Sequence, residues 1–161
     1  MRMAGINVRK ATLADGDGIA EVIKENYNTK TFAEAREFFD RDFNSGMNYL
    51  IAETDGKIIG FATWKMHDRP YHELAELHAI AVSDAFKGRG IAKELFDATL
   101  EGAKEFFSSR GLSLRKFYLL AHANNEKAIK FYRKMGMEEE TKIPNHYYRG
   151  IDEVVMAMYL K

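Results

Sequence analysis

The 161-residue chain contains no cysteine, no excess of charge of either sign and no long apolar run. Without thiols it can form no disulfides, thiolate metal sites or Cys-linked covalent intermediates. Lys and Arg together number 24, as do Asp and Glu, so the formal charge is +0 and there is no overall attraction to nucleic acid. Nothing approaches the ~18 uninterrupted apolar residues of a membrane span. The start, Met1-Arg2-Met3-Ala4-Gly5, lacks the apolar region of a secretory signal. His67, His72, His78, His122 and His146 fall into no HExxH or similar ligand spacing, so no metal is expected. These absences point to a cytoplasmic protein with no nucleic-acid or membrane partner.

What is present suits one domain spanning residues 1–161: 46% of the residues are apolar and 30% charged, enough for a full core. Ile6–Arg9 reads as a short strand, followed by a turn around Thr12–Asp15. The spacing of Ile19, Val22, Ile23 and Tyr27 predicts a core-facing helix. A second helix is expected over Phe32–Phe43, packing through Phe38, Phe39 and Phe43. Tyr49–Glu53 and Lys57–Trp64 form a hairpin around Asp55-Gly56, a pair suited to positive φ. A strand over Glu73–Val82 then runs through a glycine turn into a helix over Gly90–Ser108, with Ile91, Leu95, Ala98, Gly102 and Phe106 as its stripe. Gly111 follows the end of that helix. A strand over Lys116–Ala121 and a helix over Glu126–Met135, stopped by Gly136, come next. The last strand alternates Val154, Met156, Met158 and Leu160 against Val155, Ala157 and Tyr159. The order predicts a mixed α/β sheet with helices on both faces. The final strands and apolar C-terminal segment allow a two-fold homodimer, and equally a monomer.

Two segments carry chemistry. In Val82-Ser83-Asp84-Ala85-Phe86-Lys87-Gly88-Arg89-Gly90-Ile91-Ala92, a strand meets a helix through two glycines. A helix start gathers unpaired N–H groups, where a phosphate can sit. The stretch lacks the long GxxxxGK[ST] P-loop and the full GxGxxG of a dinucleotide fold. A compact pyrophosphate cradle of backbone donors remains, with a structural turn as its competitor. The second segment runs from Asn125 to Met137. Asn125 is placed to cap a helix, and Tyr132 lies two turns along a similar face, beside Ala128 and Phe131. The basic residues Lys127, Lys130, Arg133 and Lys134 form either a solvated face or an anion-binding one.

Together these segments resemble the GNAT superfamily of acetyl-CoA-dependent N-acetyltransferases. Lys87-Gly88-Arg89-Gly90-Ile91-Ala92 is similar to the family's Arg/Gln-x-x-Gly-x-Gly/Ala motif, with Lys87 at the first position. Asn125-x-x-Ala128 with Phe131-Tyr132 and Gly136 resembles its second cofactor segment, and the element order matches over almost the whole chain. The resemblance implies the GNAT fold, a central mixed, mostly antiparallel sheet flanked by helices. It implies acetyl-CoA as cosubstrate, bound by Ile80, Ala81, Val82, Lys87–Ala92, Asn125, Ala128 and Tyr132. Within the superfamily the chain looks most like the protein N-terminal acetyltransferases. Tyr147 and Tyr148, read as a loop between the last two strands, resemble the substrate-side loop of those enzymes. That likeness makes Tyr27, His78, Tyr147 and Tyr148 acceptor-side candidates. The end of the first helix, Glu25-Asn26-Tyr27-Asn28, departs from the aromatic-proline pattern of some members.

The resemblance favours direct transfer in a ternary complex, which removes much of the entropic barrier. A neutral amine must attack the thioester, so a base takes its proton and an acid meets the departing thiolate. Glu76, sharing strand parity with His78, Ile80 and Val82, is the expected base, acting through water, with His78 as runner-up. Tyr132 is the expected acid or thiol-positioning group, and a backbone N–H near Ile80–Val82 polarises the carbonyl. The leading acceptor is a protein or peptide α-amine. The acids Asp40, Asp42, Glu73 and Glu76 leave a small amine or polyamine open. A CoA-binding sensor or interaction protein without turnover is a third reading.

Overall fold

The computed structural model describes residues 5–160. The elements run β1 (Asn7–Lys10), α1 (Gly16–Asn26), α2 (Phe32–Asn44), β2 (Asn48–Thr54), β3 (Lys57–Met66), β4 (Leu74–Val82), α3 (Ile91–Ser108), β5 (Lys116–His122), α4 (Glu126–Lys134), β6 (Glu138–Tyr148) and β7 (Ile151–Tyr159). They form the mixed α/β architecture expected. The strands make one seven-stranded sheet in the order β1-β2-β3-β4-β5-β7-β6. The β1/β2, β2/β3, β5/β7 and β6/β7 pairs are antiparallel, whereas β4 and β5 are parallel.

The chain groups into two compact units. One is Met1–Lys65 with Ala79–Gly102, described from residue 5; the other is Met66–His78 with Ala103–Lys161, described to residue 160. In the first, Ile19, Ala20, Val22 and Ile23 of α1 pack with Ala35 and Phe39 of α2, Tyr49 and Ile51 of β2, and Phe61 of β3. Phe39 meets Tyr49 edge-on at 5.1 Å. Asp55 and Gly56 take φ of 48° and 73°, the left-handed pair that closes the β2–β3 hairpin. In the second unit, Phe117 and Leu119 of β5, Val154, Met156 and Ala157 of β7, Met137 and Phe107 are buried.

Several sequence expectations shift. Tyr27 lies beyond α1 in extended backbone, 43% exposed, instead of on the helix's core stripe. Phe38 is 38% exposed beneath the Arg41 guanidinium, leaving the packing of α2 to Phe39 and Phe43. On α3 the buried positions are Ile91, Leu95, Phe96, Thr99, Ala103 and Phe107, so Phe107 takes the place expected of Phe106. Glu73 precedes β4 at φ 54°, and its carbonyl accepts the Arg115 N–H at 2.8 Å. The expected β7 alternation breaks at Met156 and Ala157, which are both buried, and Glu153 is buried beside Val154.

Candidate active site

In the first unit, β4 leaves through a one-turn 3₁₀ helix at Asp84–Phe86 into the glycine turn. Gly88 and Gly90 have φ of +77° and +80°, and a Cβ at either would meet nothing within 4 Å. Conformation therefore favours the glycines, and the space beside them is open. The Glu94 N–H bonds the Gly90 carbonyl at 3.2 Å, opening the hydrogen-bond ladder of α3. The amides before Glu94 have no carbonyl one turn back within the helix, as at any helix start. The turn is braced from α1. Glu25 accepts from the Ser83 hydroxyl at 3.0 Å and the Asp84 N–H at 2.7 Å, while Asn26 Nδ2 donates to the Val82 carbonyl at 3.1 Å. Lys87 bonds Asp84 at 2.6 Å, and the Arg89 guanidinium lies over the Phe86 ring.

In the second unit, strand pairing gathers polar side chains on one sheet face. Glu76 of β4 stands opposite Tyr118 of β5. Two steps apart along a strand keep a side chain on the same face, so Tyr118 is followed there by Leu120 and His122. The β5/β7 register sets His122 against Glu153, and the β6/β7 register sets Tyr148 against Ile151, two residues before Glu153. The Tyr118 hydroxyl donates to Glu76 Oε2 at 3.2 Å, while His78 Nδ1 lies 3.9 Å from Glu76 Oε1. His122 Nδ1 is hydrogen-bonded to the Glu153 carboxylate, and Glu153 is 1% exposed. The His122 ring packs edge-on against Tyr148 at 5.6 Å and Tyr147 at 6.4 Å.

This face is negative in character. Desolvation first, then the charge and hydrogen bond of Glu76, push the Tyr118 phenol far above its ordinary value. The Tyr147 phenol is raised by desolvation, then by the negative charges of Glu76 and Glu153.

Of the expected residues, Glu76, His78, Tyr147 and Tyr148 come together on or beside this face. Tyr147 and Tyr148 are the last residues of β6, which corrects their assignment to a loop. An irregular register between Ile143 and Tyr148, with Asn145 at φ 49°, lets the strand run on to a tight turn at Arg149-Gly150. Asn125 caps α4, its side chain accepting the Ala128 N–H at 3.2 Å, and half-buried Tyr132 packs edge-on against Phe131. Tyr27, Ile80–Val82 and Lys87–Ala92 belong to the first unit. Sequence reasoning passed over Glu25, Asn26, Tyr118, His122 and Glu153.

The chain matches the model of the acetyltransferase (GNAT) family over residues 17–137. It is 27% identical to an N-alpha-acetyltransferase of Sulfurisphaera tokodaii, across 93% of this chain and 90% of that protein. It is 25% identical to the spermidine N(1)-acetyltransferase of Escherichia coli K12, across 74% and 61%. Three further curated relatives are longer proteins, of which the match covers 31–39%. Among solved structures, YncA of Salmonella typhimurium with its cofactor acetyl-CoA superposes with a TM-score of 0.72 at 18% identity, covering 98% of this chain and 95% of that one.

Proposed function

Because the chain belongs to the GNAT acetyltransferase family, we propose that it transfers acetyl from acetyl-CoA to the α-amine of a protein or peptide N-terminus. The observation that carries this reading is the Tyr118–Glu76 hydrogen bond on a sheet face shared with Tyr148 and bordered by Tyr147. It supplies a carboxylate base held in one orientation, with exposed aromatic phenols beside it to take an acceptor backbone. The likeness to the Sulfurisphaera protein supports the acceptor class.

The glycine turn suits acetyl-CoA. Gly88 and Gly90 bring backbone amides to an open surface at the start of α3, the chemistry a pyrophosphate needs. Lys87 to Ala92 would hold that group, Asn125 and Ala128 the pantetheine, and Tyr132 the sulfur end. When bound, acetyl-CoA supplies an activated acyl carbon. Glu76 takes a proton from the acceptor ammonium through water, so that the amine has a free electron pair. A backbone N–H among Ile80, Ala81 and Val82 steadies negative charge on the carbonyl oxygen. Tyr132 gives its proton to the departing sulfur. Tyr27, Tyr147 and Tyr148 would be the acceptor-side residues, and His78 stands beside the base.

The test is a panel of short free-N-terminal peptides and small diamines, incubated with acetyl-CoA and read by mass spectrometry. Acetyl on peptide α-amines is the expected outcome. Modification of diamines alone overturns the peptide assignment and leaves N-acetyl transfer standing. No saturable binding of acetyl-CoA by calorimetry overturns the whole reading.

A further inference from the structure

We propose that His122 is a second proton acceptor in this transfer and that Glu153 is its positioning residue; the proposal rests on the reading of Glu76 and Tyr132 given above. Glu153 is 1% exposed and sits beside the buried Val154 on β7. Among the described residues its carboxylate is hydrogen-bonded by one side chain, His122. Removing a carboxylate from water costs several kcal/mol, and an apolar pair of similar volume would avoid that cost. Here an imidazole 41% open to solvent is held by a carboxylate almost wholly withdrawn from it. This is the arrangement that fixes a ring and its tautomer: Glu153 occupies Nδ1, so Nδ1 carries the hydrogen and Nε2 keeps an electron pair to accept one.

The proton balance gives that electron pair a task. An acceptor ammonium enters with three N–H bonds and leaves as an amide with one. Glu76 removes the first proton through water. The nitrogen lone pair then forms the N–C bond. As the C–S bond breaks, its electron pair passes to sulfur, which takes the Tyr132 proton. The second proton on nitrogen goes to His122 Nε2 and leaves to solvent at the exposed edge of the ring. The proton held by Glu76 returns through water to the Tyr132 phenolate. One proton ends on the thiol and one in solvent, as the overall reaction demands. The groups facing His122 are Glu153 from β7 and Tyr147 and Tyr148 from β6. Glu76 stands opposite Tyr118, and His122 lies four residues along β5 from Tyr118 on the same face, so base and dyad share that face of the sheet.

The experiment uses the full chain, acetyl-CoA and a pool of short peptides beginning with Ser, Ala, Met or Glu, under single-turnover conditions. His122→Ala should lose about 100-fold in rate, with acetyl-CoA affinity by calorimetry unchanged and part of the rate restored by added imidazole. Glu153→Gln, close to isosteric, should lose at least about ten-fold. Ring ¹⁵N spectra should show His122 as the Nδ1–H tautomer in the parent, with that preference lost in Glu153→Gln. A folded His122→Ala at the parent rate overturns the proposal while Glu76→Gln, if slow, leaves the reading of Glu76 standing. So does a slow, folded His122→Ala that imidazole fails to restore, or an Nε2–H tautomer in the parent. A parent inert toward peptides and diamines sinks both the functional reading and this extension of it.

Discussion

In the proposed reading the binding groups at Gly88 and Gly90 are backbone amides, within one short turn whose glycines have φ angles of +77° and +80°. At Glu76, Tyr118, His122 and Glu153 they are side chains from three strands, brought together by register. The first arrangement should tolerate changes of side chain that keep the backbone path. The second depends on atoms beyond Cβ, so conservative substitutions reach the chemistry directly. The two regions should therefore fail differently when altered, one in affinity and the other in rate.

The largest effect is expected from Glu76→Gln. The amide keeps the shape and can still accept from Tyr118, but it cannot hold the amine's proton. Single-turnover transfer should fall by about 100-fold or more, while calorimetric affinity for acetyl-CoA stays at the parent value. An equal loss of affinity would break the division between the two regions. Tyr118→Phe removes the hydroxyl that holds Glu76 Oε2, and the same assay should report a smaller loss, roughly ten-fold, also without change in affinity.

Gly90→Ala should show the reverse. The added Cβ has room, so the cost is conformational, about 1–2 kcal/mol for an L-residue in the left-handed region. If the turn relaxes to relieve it, acetyl-CoA affinity should fall by about ten-fold. At saturating acetyl-CoA the single-turnover rate should stay within about three-fold of the parent. A rate loss as large as that of Glu76→Gln would mean that the turn also orients the reacting carbon.

This contrast also explains what could be read from the residues alone. The glycine turn, the Asp55-Gly56 hairpin and the Asn125 cap are local devices, each specified within about four neighbouring residues. Glu76 was legible through the parity of its own strand. Its partner Tyr118 lies 42 residues away, and His122 lies 31 residues from Glu153, so both pairs depend on the order in which strands join the sheet. His122 makes no ligand motif along the chain, because its partner Glu153 stands across a β-ladder. Tyr147 and Tyr148 read as a loop through their likeness to a family loop; in the structure β6 runs through them after an irregular register between Ile143 and Tyr148. Phe38 failed for another reason. Three phenylalanines on one helix suggest a single face, but Phe38 and Phe39 are about 100° apart around the axis and cannot both point inward.

The smallest effect sharpens the comparison by touching neither region. Asp15 accepts from Arg9 Nη1 and Nη2, both at 2.9 Å, and from the Thr12 N–H at 2.7 Å, while Arg9 also bonds Glu53. The Arg9 hydrogen bonds come first in holding the Asp15 carboxyl below its ordinary value, opposed by burial and aided by the Thr12 N–H. A carboxyl depressed in the folded state binds its proton more readily once unfolded. Its contribution is therefore present above the ordinary carboxylate range and disappears as pH falls through the folded value. Asp15→Asn should lower stability at neutral pH by about 1–2 kcal/mol, measured by urea unfolding, with the gap to the parent narrowing in acid. Acetyl-CoA affinity and single-turnover rate at neutral pH should both stay at parent values, because the residue supports the packing of the first unit and not its glycine turn. A gap that widened in acid would show that Asp15 is stabilising as a neutral hydrogen-bonding group. A change in affinity or rate would mean that the base of α1 is coupled to the turn through Glu25 and Asn26, the residues at the other end of that helix.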